Sequence, residues 1–119
     1  MPDDALFLGW GEVVRGREGK ALEVFNESLE YYAKLQQEGK LESFEPWFLA
    51  PHGGDLDGFI LLRGEPSQLD EILRSPEFES LQARVGLIVD RLGVVQASTG
   101  ESLARQMGQF QEAISGIAD

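Results

Sequence analysis

The chain has 119 residues, enough for one domain with a core of adequate size. Its 21 acidic and 10 basic side chains give a formal net charge of −11, which argues against nucleic acid or an anionic membrane surface as partner. The absence of cysteine excludes disulfides, thiolate nucleophiles and cysteine-ligated metals.

No apolar run approaches the roughly 20 residues of a bilayer span. The start, Met1-Pro2-Asp3-Asp4, lacks the basic region of a signal peptide, so a cytoplasmic location is expected.

In chain order, Leu6 to Val14 is apolar with small residues and predicts a strand. Gly9 and Gly11 share one face of it, and Leu8, Trp10 and Glu12 the other. Glycines in a strand often mark a close approach to the backbone, here expected to be a crossing helix. Gly16 to Glu38 predicts a helix, with Ala21, Val24, Phe25, Ser28, Leu29, Tyr32 and Leu35 as its apolar stripe. Gly39 is a natural stop.

Leu41 to Ala50 predicts a second strand, which Pro46 demotes to an edge or a bulge. Pro51-His52-Gly53-Gly54-Asp55 is a turn by composition, so Leu56 to Arg63 forms a hairpin with the second strand. The next helix is interrupted: Leu69, Ile72 and Leu73 make a first piece. A second piece starts at Pro76 after the N-cap Ser75. Leu92 to Ser98 predicts the fourth strand. Finally, Leu103, Met107, Phe110, Ile114 and Ile117 form a narrow apolar seam on an otherwise polar helix.

Strand-helix-strand-strand-helix-strand is the ferredoxin-like order, an α+β sheet with helices on one face. Residues 1–100 are expected to form this domain. Residues 101–119 are expected to form a helix packed on the same domain or on a dimer partner. Ser75-Pro76-Glu77-Phe78-Glu79-Ser80-Leu81 resembles the helix of small proteins in the dimeric α/β-barrel superfamily. Gly58-Phe59-Ile60-Leu61-Leu62-Arg63-Gly64 and Gly93-Val94-Val95 resemble the same group, within a subfamily of unknown function.

The resemblance implies a homodimer in which two sheets pair face to face. Leu8, Trp10, Trp47, Phe59 and Leu61 are the expected contributors to that face. The superfamily includes cofactor-independent monooxygenases, isomerases and haem-active proteins, so the fold does not settle the chemistry. Haem-degrading relatives use a helical histidine, and neither central helix of this chain contains one.

Strand parity supplies the candidate site. Trp10 and Glu12 share a face of the first strand, and Glu45 and Trp47 share one of the second. Arg63 lies with Phe59 and Leu61, and Gln96 with Leu92 and Val94. If these faces coincide, Trp10, Trp47, Arg63 and Gln96 would line a ligand site, and Glu12 or Glu45 would be a candidate base. Arg63 would pair with one of those carboxylates, which is equally a structural arrangement.

His52 is the only histidine, and one ligand does not make a metal site. Asp55-Leu56-Asp57-Gly58 starts like a calcium loop, but its further ligands and closing glutamate are missing. No metal and no cofactor are expected. There is no G-x-S-x-G, Walker A loop or dinucleotide fingerprint. The leading expectation is a homodimeric small-molecule-binding or accessory protein. The alternatives are a cofactor-independent monooxygenase or isomerase acting on an aromatic or polyketide-like substrate, and a structural interaction module.

Overall fold

A computed structural model describes residues 2–117. The chain folds as β1 (Asp4–Trp10), α1 (Glu18–Gln37), β2 (Ser43–Phe48), β3 (Gly58–Arg63), α2 (Pro66–Arg74), α3 (Pro76–Val85), β4 (Gly93–Ser98) and α4 (Gly100–Ile117). The four strands form one antiparallel sheet in the order β2-β3-β1-β4. This is the ferredoxin-like arrangement with an added C-terminal helix. The expected last helix extends to residue 119, and residues 118–119 lie outside the described part.

Periodicity explains most boundaries. In α1, Ala21, Val24, Ser28, Tyr32 and Leu35 are buried at spacings of three and four, and Gly39 follows with φ +74°. Ser75 separates α2 from α3: its extended backbone ends one helix, and its side chain accepts from the Phe78 N–H to begin the next. The Ser75 hydroxyl also donates to Glu77, which holds that exposed carboxyl below its usual range. Pro46 sits in β2, an edge strand, where a missing donor disturbs no ladder.

Two expectations need correction. The first strand ends at Trp10, not Val14. Beyond it the chain leaves the sheet and pairs with residues 88–90: Gly11 N–H donates to Asp90 O (2.9 Å), and Val14 N–H to Ile88 O (2.9 Å). Nor does a helix cross at Gly9. The neighbours of a Cβ there would be the Phe7 ring (2.6 Å) and Leu56 (3.1 Å), so an aromatic side chain of the same strand occupies that space.

The core lies between the sheet and the α1/α2/α3 layer. Leu6, Leu8, Ile60 and Leu62 point into it from β1 and β3 and meet Val24, Tyr32, Leu69, Ile72, Phe78 and Leu81. Register then assigns the opposite face: Phe7 pairs with Leu61 and Val95, Ala5 with Arg63 and Ala97, and Trp47 with Phe59. Among the described residues, no helix buries Trp47 or Val95 of that face, which stay 51% and 54% exposed. The seam of α4 is also uncovered, with Met107 and Phe110 more than half exposed. Its first two turns are anchored: buried Ser102 donates to Asp4 (3.3 Å), Glu101 N–H donates to Asp3 (3.1 Å), and the Gln106 amide donates to Ser98 of β4 (2.9 Å).

Candidate functional site

A mainly apolar cavity of about 250 Å³ lies between α1, the sheet and residues 82–92. Three aromatic rings form one wall. Trp10 meets Phe25 edge-on (6.2 Å), Phe25 lies against Phe48 (5.0 Å), and Phe48 closes the group on Trp10 (6.2 Å). Leu8, Ile60, Val24, Val85 and Ile88 add aliphatic surface. Leu22 and Phe48, 63% and 70% exposed, stand at the rim beside Glu18. An apolar chamber with solvent-exposed apolar rim residues and few polar groups is what a small-molecule site requires.

The polar groups of the wall come from α1 and α3. Ser28 donates to Val24 O of its own helix (2.8 Å). Tyr32 is 1% exposed, and its hydroxyl accepts from the Gln82 amide (3.2 Å). Burial pushes the Tyr32 hydroxyl's pKa well up, outweighing the opposing hydrogen bond from Gln82, so the phenol stays protonated. The Glu18 carboxylate accepts from Gly16 N–H (3.0 Å) at the mouth.

The residues singled out from the sequence do not form one cluster. Trp10 lines the cavity, but on the helix side of the sheet, not on the bare face assigned to it. Leu8 is corrected likewise. The reason is that Leu6, Leu8 and Trp10 alternate together, and parity fixes which residues share a face without saying which face is covered. Gln96 pairs with Leu6 and so faces the helix side, exposed on edge strand β4. Glu12 lies beyond β1, exposed, with its N–H on Asp90 (2.6 Å). It and Gln96 are not part of any arrangement with Arg63.

Trp47, Glu45 and Arg63 do share the bare face. Arg63 Nε bonds Glu45 Oε2 at 3.1 Å, partly buried. Trp47 stacks on Phe59 (6.2 Å), which stacks on Phe7 (4.9 Å). None of Glu12, Glu45, Trp47, Arg63 and Gln96 lines the cavity.

His52 organises the β2–β3 loop. Its Nδ1 accepts from Gly54 N–H (3.1 Å) and its Nε2 lies 2.7 Å from Leu56 O, so both nitrogens have backbone partners. Among the described residues, no three His, Asp or Glu side chains converge as a metal-binding group.

Sequence reading missed Tyr32, Gln82, Phe25 and Phe48 as cavity residues. A signal existed for Tyr32: a phenol inside an otherwise apolar stripe must bring its hydroxyl to a partner. Gln82 carried none, because its role depends on α3 packing beside α1.

No protein-family model and no curated protein matches this sequence. Solved structures do match in fold. A dimeric ferredoxin-like protein of unknown function from Jannaschia sp. CCS1 is 13% identical, with a TM-score of 0.63, covering 81% of this chain and 99% of that one. A second such protein, from Thermobifida fusca YX, is 10% identical, with a TM-score of 0.62, covering 83% and 93%. SnoaB, a cofactor-independent oxygenase from Streptomyces nogalater, is 13% identical, with a TM-score of 0.56, covering 82% and 94%. The ferredoxin-like fold expected from the sequence is thus shared with solved dimeric ferredoxin-like proteins. No helix of the described residues is long and apolar enough to cross a membrane.

Proposed function

We propose that the protein binds a small, largely apolar molecule in the cavity between α1 and the sheet, and works as a homodimer. The aromatic wall of Trp10, Phe25 and Phe48 around an apolar chamber carries the binding reading. The bare face carries the dimer reading. Trp47, Phe59, Phe7, Leu61 and Val95 make an apolar patch with no cover in the protomer, and large patches of this kind are uncommon on soluble monomers. Solved proteins of this fold described as dimeric support that occupant. The α4 seam, equally uncovered, belongs in this reading to the partner protomer. A cytoplasmic location fits the acidic, soluble composition.

The two tryptophans allow a direct test. Trp47→Phe leaves Trp10 as the sole indole, inside the cavity wall; Trp10→Phe leaves Trp47 on the bare face. Neutral two-ring aromatics should change the emission of the first variant saturably and leave the second unchanged. Ala21→Phe, which fills the chamber, should abolish the response. A response confined to Trp47, or one that survives Ala21→Phe, would place binding elsewhere.

The catalytic alternative, a cofactor-independent monooxygenase or isomerase, draws on the same cavity and on the fold shared with SnoaB. The position of Glu12 and Glu45 outside the cavity weighs against their service as its base. Oxygen uptake or product formation with an aromatic substrate would move this reading ahead.

A further inference from the structure

We infer that Tyr32 is the specificity-determining hydrogen-bond donor of this cavity, and that it selects a neutral apolar ligand ending in an acceptor such as a carbonyl oxygen. The inference rests on the reading of the cavity as a ligand site. It starts from the fate of each polar proton on the wall. The Ser28 hydroxyl proton is held by Val24 O. The Glu18 side chain is an acceptor at the mouth, taking the Gly16 N–H. Gln82 is partly exposed, so water reaches the amide groups that Tyr32 does not engage. Tyr32 differs from all three. Its oxygen accepts from Gln82, yet among the described residues its own proton has no protein acceptor, at a side chain 1% exposed.

A phenol this deep gains a full hydrogen bond only from something that enters the chamber. A phenol with an ordinary pKa near 10 already holds its proton in the neutral range, and burial pushes the value further up, so the group acts as donor there. The surrounding rings and aliphatic side chains accept a flat apolar body. Glu18 at the mouth and the net charge of −11 disfavour an anion. The chemistry that fits is a neutral ring system with its acceptor leading.

The test uses two probes that differ in one oxygen: 1-tetralone, a ketone, and tetralin, its hydrocarbon counterpart. Their dissociation constants are measured by NMR titration against the full chain and two isosteric variants. Tyr32→Phe should lower the ketone-to-hydrocarbon affinity ratio about fivefold, the size of one net hydrogen bond. Gln82→Met, which removes the amide and keeps the hydroxyl, should retain the native ratio. An unchanged ratio in Tyr32→Phe overturns the inference while leaving the cavity reading intact. A ratio that collapses equally in Gln82→Met overturns it too, because the amide would then be the donor. If neither probe binds the native protein, the cavity reading itself falls, and this inference with it.

Discussion

The two faces of the sheet are built from alternating residues of the same strands, and each contributes to an aromatic trio, the helix-side one completed by Phe25 of α1. On the helix side, Trp10, Phe25 and Phe48 meet across a cavity roofed by α1. On the other side, Phe7, Phe59 and Trp47 stack in a row with no helix of the described residues packed on Trp47, which stays 51% exposed. The first trio is a wall beneath α1 with a phenol behind it, open to solvent at Phe48. The second is a flat patch with an ion pair at its edge. Similar chemistry thus has two uses, and what separates them is which face the connections cover. Helices α1 to α3 return on one side because each crossover between the strands places its helix there. A flat apolar face suits a second flat face, whereas a roofed one leaves room for a small molecule.

Adjacent residues of β3 give the sharpest way to break the comparison. Leu62 is fully buried under the helices, and Leu61 faces the bare side. Leu62→Ala should cost about 2–5 kcal/mol of protomer stability by cavity formation, measured by urea unfolding. A loss below about 1 kcal/mol would mean that this face is not the packed one. Leu61→Asp should leave the protomer folded and convert dimer to monomer in light scattering after size exclusion. A monomeric native protein at micromolar concentration would remove the dimer reading altogether.

Deletion of residues 107–119 retains Ser102, its bond to Asp4 and the Gln106 bond to Ser98 while removing the seam from Met107 onward. The expected result is a weaker dimer, with its dissociation constant raised about tenfold or more, and a protomer of nearly native stability. Equal dimer affinity would assign the helix no part in assembly.

Tyr32 distinguishes the faces by pH. Its folded pKa is raised by burial, so its contribution is complete below the ordinary tyrosine value near 10 and is lost as pH rises above it, where the unfolded phenol ionises first. Unfolding free energy should therefore fall above pH 10, and Tyr32→Phe should flatten that fall. An identical alkaline slope in both proteins would show that the hydroxyl is not shielded.

The smallest effect is expected at Arg63. Its pair with Glu45 is partly exposed in the protomer, so Arg63→Ala should cost at most about 1 kcal/mol there. Binding of an aromatic probe in the cavity should be unaltered. A loss of probe affinity would reconnect the two faces and revive the site inferred from parity.

The sequence by itself determined the order of elements, the restriction of β2 to an edge or a bulge through Pro46, the break at Ser75-Pro76 and the buried stripe of α1. These follow from local rules: period, missing donors, caps and turn residues act within a few positions. It offered Glu12 or Glu45 as partner of Arg63, and the structure chose Glu45, whose strand is joined to that of Arg63 by a hairpin. What it did not contain is the sign of each face. Leu6, Leu8 and Trp10 alternate identically whether helices or a second sheet lie above them, so Trp10 was set beside Arg63 although it stands beneath α1. Only the tertiary structure decided that, and only it brought Gln82 to Tyr32 across 50 positions. Such contacts depend on how α1 and α3 settle on the sheet, a packing outcome of the whole core that no single segment encodes.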